Sequence, residues 1–385
     1  MTDHGAPLYP EDLKRHRIHR GLVTPRQEHI FTWVAVVVVL LYATAWVGAL
    51  VQTKRMEQTS REVLGEPVAQ GGTGATAPSE SITGRVFGPA QQKTAYLTDA
   101  MLAFLHPLRG DSGEVRFAPV LPGETVAEPP SGATIVPEGG SPRPDFSAPE
   151  DSGIYKFAVQ MNKATRAIDD ISIVTLVPIS QKRGGRIGPY YLGSWPFEAG
   201  GKPKTERYAA PAGFIEVTQE NQNFFVSEHF RLRDFLTKDQ RNVWPKYLLL
   251  DPKLVDKLEL TIQELERRGV RVEAVFVMSG FRTPQYNHSG GNTAGRANLS
   301  RHMYGDAADV YVDNNRDGHP DDITGDGRVD TRDAEMFGQA AEAVEKSHRP
   351  LTGGIGVYPA CCGHGPFTHV DVRGFRARWR GTGTG

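Results

Sequence analysis

The sequence predicts three unlike parts: one membrane-spanning helix, a β-sandwich-like region, and a C-terminal α+β domain. Three observations predict them: an uncharged run from Phe31 to Val51, short β-branched runs divided by Pro and Gly, and a helix signalled at both ends that leads into an apolar strand. The length of 385 residues allows two or three units at ~150 residues each. With 44 Lys+Arg against 45 Asp+Glu, bulk electrostatics would not hold the chain on nucleic acid. Two cysteines exclude a disulfide-dense scaffold.

Taken in order, residues 1–30 form a short tail rich in Lys14, Arg15, Arg17, Arg20 and Arg26. The 21 uncharged residues 31–51, with Trp33 and Trp46 near the ends, match a ~30 Å hydrocarbon core at ~1.5 Å per helical residue. More basic charge precedes the span than follows it, which places the N-terminus inside and the rest outside the cytoplasm. The competing reading is a cleaved signal peptide at Val47-Gly48-Ala49, but the apolar stretch exceeds the roughly 7 to 15 residues of a signal core. Residues 52–84, with GGTGATAPSES, read as a tether. Residues 85–216 carry strand-like runs, Tyr155–Val159 and Ile171–Val177, in the pattern of a sandwich-like β domain. Within them, 121–150 reads as a long exposed loop. Aromatic Tyr190–Pro196 reads as core filling before it reads as a sugar-stacking surface.

The third part spans 225–380. Asp251 and Pro252 supply an N-cap and a first-turn proline, Val255, Leu258, Ile262 and Leu265 line one face, and Gly269 closes the helix. Residues 272–278 then form a buried strand ending in Ser279-Gly-Phe-Arg-Thr-Pro284, a turn able to present Arg282 to an anionic group. His302 and Asp309 are seven residues apart, ~10.5 Å on a continuous helix and too far to share one ion. Gly305 permits the chain to turn back between them, and Ala307 and Ala308 let the return strand pack closely. His369 and Asp371 share one side of an alternating strand. His302, Asp309 and His369 could therefore hold zinc with one open position.

The segments SGFRTP, SRHMYGDAADV and THVDVRG resemble the signature of D-alanyl-D-alanine carboxypeptidase-like zinc peptidases, across roughly residues 225–374. The resemblance implies an antiparallel sheet in the α+β domain and hydrolysis of peptidoglycan stem peptides by a D,D-carboxypeptidase or endopeptidase. It implies His302, Asp309 and His369 as zinc ligands, Arg282 as the group that binds substrate carboxylate or polarises the scissile carbonyl, and Ser300 as a substrate contact. The positions where relatives carry a general base are Pro366 and Phe367 here. His364 and Asp371 are the nearby substitutes, and Asp371 could instead orient His369. This gap leaves open a module that binds cell-wall peptide without cutting it.

An acidic insertion, 313–333, separates the second and third ligands. Asp322, Thr324, Asp326, the Arg328 carbonyl, Asp330 and Asp333 follow the ladder of a calcium loop, with Gly327 at the bend. Asp313, Asn315, Asp317 and Asp321 form a partial copy around Gly318. The full copy resembles the loop of dockerin modules, and a structural calcium is expected. Residues 334–346 should be helical. Adjacent Cys361 and Cys362 leave three states open: free thiols, a vicinal disulfide, or pairing to another chain. Their thiolates are also a rival zinc constellation. The expected partners are peptidoglycan and, through the N-terminal helix, the lipid bilayer, with the folded parts on the periplasmic or cell-wall side.

Overall fold

The computed structural model describes residues 99–381, apart from 139, 162, 163, 204, 292, 294, 295 and 362. The expected span and tether lie outside the described residues, and among those described no helix is long and apolar enough to cross a membrane. The protein is α+β with several sheets. The chain order is α1 (Asp99–Arg109), β1 (Phe117–Val120), β2 (Thr125–Ala127), β3 (Ala133–Pro137), β4 (Phe146–Ser147), β5 (Gly153–Met161), β6 (Ala164–Thr175) and β7 (Val177–Pro178). It continues through β8 (Arg186–Ile187), β9 (Tyr190–Tyr191), β10 (Gly213–Val217), β11 (Lys246–Leu248), α2 (Pro252–Arg267), β12 (Val275–Ser279) and α3 (Pro284–Ser289). The last elements are β13 (Ala307–Val312), α4 (Thr331–Ser347), β14 (Gly354–Tyr358), β15 (Phe367–Asp371) and β16 (Ala377–Arg380).

In the β-rich region, β1-β6-β5-β3 form one sheet, β2 pairs with β4 and β8 with β9, and a three-stranded sheet has the order β11-β10-β7. The stretch expected as an exposed loop contains β2, β3 and β4. The run Ala133-Thr-Ile-Val-Pro137 pairs with β5 and buries Ile135, as Phe146 is also buried, because their apolar area gains more from the core than from water. Tyr190 and Trp195 are buried too, so these aromatics fill the interior. One hydrophobic cluster takes Phe117, Val174 and Phe214 together with Leu254, Val310 and Val370.

The sheet that positions the site has the order β12-β13-β15-β14-β16. It is antiparallel except for the parallel pair β14 and β16. Helix α2 starts where its cap predicts, with the Asp251 carboxylate accepting from the Lys253 amide at 2.9 Å. Helix α4 begins three residues before the expected start, because Asp330 caps it and Asp333 returns to the Asp330 amide. Strand β12 begins at Val275, three residues late. Val310, Val370 and Ile355 face the helices and join Phe337 and Ala341 in the core. Alternation then sends Asp309, His369, Gly356 and Tyr358 to the opposite face.

Candidate metal centre

His302 and Asp309 converge by the turn the sequence anticipated. Arg301–Tyr304 form one 3-10 turn, and Gly305 follows with φ of 71°. A Cβ at Gly305 would stand 2.4 Å from the Leu249 backbone, so both the dihedral and the space require glycine. The neighbouring Arg301 clamps the turn: its Nε lies 3.0 and 3.1 Å from the two Asp306 oxygens, and its guanidinium carbon lies 4.7 and 4.6 Å from the ring centroids of Tyr208 and Tyr304, which meet each other edge-on. Register then pairs Asp309 with His369 on β15.

The three side chains are buried, and they are the one group of three or more His, Cys, Asp or Glu among the described residues whose ligand atoms lie within 4.8 Å of one another. Asp309 Oδ1 is 2.8 Å from His369 Nδ1 and 3.3 Å from His302 Nε2, and the two ring nitrogens are 3.2 Å apart. Ligand atoms at ~2.05 Å from a tetrahedral zinc stand ~3.3 Å from one another, so the spacing suits that ion. Protonation fits as well. His302 Nδ1 lies 2.7 Å from the Gly280 carbonyl, which can only accept, so the proton is there and the Nε2 lone pair faces inward. His369 Nε2 lies 3.1 Å from Asp371 Oδ2, and its Nδ1 turns inward likewise. Three lone-pair atoms aimed at one point repel unless a cation sits among them.

The ion-free electrostatics show how that repulsion is relieved. Burial, reinforced by the Arg282 cation, lowers the His302 pKa to about 4. Burial would lower His369 too, but the Asp309 and Asp371 carboxylates raise it to about 8. Burial opposes ionisation of Asp309, but the Arg282 cation and the hydrogen bond from His369 outweigh it and hold the carboxyl well below its ordinary range. A proton shared between His369 and Asp309 thus stands where a metal would displace it.

Arg282 lies against this cluster. Its Nη2 donates to Asp309 Oδ2 at 2.6 Å and its Nε to Ser279 Oγ at 2.8 Å, leaving Oδ1 for a metal. Asp371 is wholly buried; its oxygens accept from His369, the Gly354 amide and the Arg373 guanidinium. Lys257, also wholly buried, donates to the Asp371 carbonyl at 2.7 Å and to Glu345 at 2.6 Å, which ties β15 to α2 and α4. His364 Nδ1 lies 2.8 Å from the Gly365 carbonyl, and its ring meets Phe367 edge-on at 5.0 Å. Ser300 is buried at the head of the 3-10 turn. Sequence reasoning missed Arg373 and Lys257, which hold Asp371 and its strand in place. Lys257 depends on contacts across elements that no local pattern records.

The acidic insertion forms no comparable group. Asp322 accepts from the Gly325 and Gly327 amides at 2.7 and 2.6 Å, and Asp333 from those of Ile323 and Thr324. Asp326 and Asp330 pair with Arg332. In the partial copy, Asp313 accepts from Asp317 and Gly318, Asn315 from Asp317, and Asp321 from Asn314. These carboxylates are turned onto their own backbone and a neighbouring arginine. Cys361 is disulfide-bonded and so offers no thiolate, and the one candidate metal group among the described residues contains no cysteine.

Residues 211–319 match the family model described as peptidoglycan L,D-endopeptidase MepK, within the zinc peptidase superfamily that the motifs resemble. The match includes His302 and Asp309 and ends before His369. No curated protein matched the chain, and no solved structure did.

Proposed function

We propose that this chain is a zinc-dependent peptidase that hydrolyses peptidoglycan stem peptides, with L,D-endopeptidase rather than D-alanyl-D-alanine carboxypeptidase specificity. The observation that carries the reading is the convergence of His302 Nε2, Asp309 Oδ1 and His369 Nδ1, all 2.8 to 3.3 Å apart with their lone pairs facing. The bond class rests on the description of the family matched by residues 211–319. Zinc in this set would supply a Lewis acid able to activate water near neutral pH.

The chain's own groups divide the remaining work. Arg282 holds the second oxygen of Asp309 through Nη2 and Ser279 Oγ through Nε, and its Nη1 is left for a substrate oxygen. Asp371 fixes the tautomer and tilt of His369 instead of taking a proton itself, since its lone pairs are already engaged. His364 is the base: Nδ1–H is committed to the Gly365 carbonyl, so Nε2 keeps a lone pair for the proton released by the attacking water. The reading places the catalytic part outside the cytoplasm, with the uncharged run of 31–51 as its membrane anchor, and it includes calcium in the 313–333 insertion. The calcium reading is supported by the order of oxygens and by the positive φ of 82° at both Gly318 and Gly327.

Digestion of purified peptidoglycan by the zinc-loaded protein, with mass spectrometry of the fragments, tests the proposal. New L,D termini are expected, and they should vanish in His364→Ala while zinc is retained. Binding to peptidoglycan without any new termini would refute hydrolysis and leave a wall-binding module.

A further inference from the structure

A tyrosine stands beside the candidate metal cluster with its hydroxyl lone pair engaged and, among the described residues, no acceptor for its hydrogen. Tyr358 ends β14, whose register sets Tyr358 opposite Phe367 and Gly356 opposite His369. Residues two apart on a strand share a face, so Tyr358 emerges on the face that carries His369 and Asp309. Strand β16 sets Trp379 opposite Gly356. A Cβ at Gly356 would fall 2.3 Å from the indole, so the glycine is what lets Trp379 lie across the sheet. There its ring centroid is 5.1 Å from that of His369, and its Nε1–H donates to Tyr358 Oη at 2.8 Å. The Tyr358 ring is fixed by stacking on Phe367, with centroids 4.5 Å apart and planes 5° apart.

An indole N–H can only donate, so it occupies an oxygen lone pair and directs the phenol hydrogen elsewhere. Among the described residues that hydrogen has no acceptor. Asp309 and Arg282 both act electrostatically on Tyr358, which puts the hydroxyl within the field of the cluster. Where the resembling family would carry a polar group just before its last ligand, this chain has Pro366 and Phe367, and Phe367 is the residue on which Tyr358 stacks.

We infer that Tyr358 is a catalytic residue whose hydroxyl donates a hydrogen bond to the carbonyl oxygen of the scissile peptide as that oxygen gains negative charge. This rests on the hydrolase reading above. The water oxygen bonds to the carbonyl carbon, the C=O π pair moves onto the carbonyl oxygen, and the water proton goes to the base. Tyr358 keeps its own proton throughout, so no atom passes through it. Trp379 is a positioning residue, because it acts by orienting Tyr358.

The test compares the full-length, zinc-loaded wild type with Tyr358→Phe. Removing one donor of this kind costs on the order of a hundredfold in kcat, with KM and zinc content unchanged. A second readout needs no turnover: calorimetric affinity for a phosphinate peptide, which mimics the tetrahedral state, should fall by about tenfold or more, while affinity for the uncleaved peptide analogue stays the same. Trp379→Phe keeps a ring in place but removes the N–H, and it should show a smaller loss in the same direction. Wild-type kcat and phosphinate affinity in Tyr358→Phe would overturn the inference. Should Tyr358→Phe fail to fold, wild-type values in Trp379→Phe would overturn it. A wild type that cleaves nothing, yet binds phosphinate in a Tyr358-dependent way, would sink the hydrolase reading and keep the donor. Cleavage that is indifferent to Tyr358 would do the reverse.

Discussion

Replacing Asp371 with Asn separates two roles for this carboxylate, proton acceptor and orienter of His369. The side chain is wholly buried and accepts from His369 Nε2 at 3.1 Å, the Gly354 amide at 2.7 Å and Arg373 Nε at 2.8 Å. Asn keeps the shape and removes the charge, and its amide hydrogens would confront either the imidazole N–H or the guanidinium. Losing such a partner costs ~10- to 100-fold in metal affinity, about 1.4 to 2.7 kcal/mol. Leaving Arg373 without its anion adds a separate loss of fold stability, of order 3 kcal/mol or more for a broken buried pair. Zinc competition against a chromogenic chelator measures the first effect, and denaturant melts of the metal-free protein measure the second. Asp371→Asn should fold, melt earlier and bind zinc at least tenfold more weakly. Unchanged zinc affinity with lost peptidase activity would refute the orienting role and return Asp371 to the base.

Other outcomes follow from the same geometry. His302→Ala and Asp309→Ala should each abolish stoichiometric zinc by elemental analysis, because two remaining donors cannot close the site; full zinc in both would refute the ligand set. The pKa of His229 is raised, first by its hydrogen bond to Glu259, so the folded state binds the proton more tightly than the unfolded one. The stabilisation is complete below the ordinary imidazole value of about 6.5 and is lost as pH rises through the folded value. His229→Gln should thus lose more stability in urea melts at roughly pH 5.5 than at pH 8.5, and an equal loss at both would refute it. Millimolar calcium should raise the melting temperature and a chelator lower it if the 313–333 insertion binds the ion; no shift in either direction refutes that site.

Helix α2 was legible because its signals are local: a capping acid, a first-turn proline, a stripe of apolar residues and a closing glycine act within one turn or along one face. The turn at Gly305 was legible for a similar reason, since His302 and Asp309 can share an ion only if the backbone reverses between them. Residues 121–150 were misread as an exposed loop because Pro and Gly are common there, while the partner that makes Ala133–Pro137 a strand, β5, lies about twenty residues on.

The amino-acid sequence by itself determined the donor set, the reversal at Gly305, the capped helix and the apolar run at 31–51, because each is written in residue types at short spacing. Tertiary structure alone decided which atoms of His302, Asp309 and His369 face one another, that Asp371 lies behind His369 with its lone pairs engaged, that Arg282 rests on Asp309, and that Trp379 holds the Tyr358 hydroxyl. Those are matters of register and of side chains meeting from strands and helices far apart in the chain. A one-residue slip in β15 would turn His369 to the helices, and no local pattern records which register the sheet adopts.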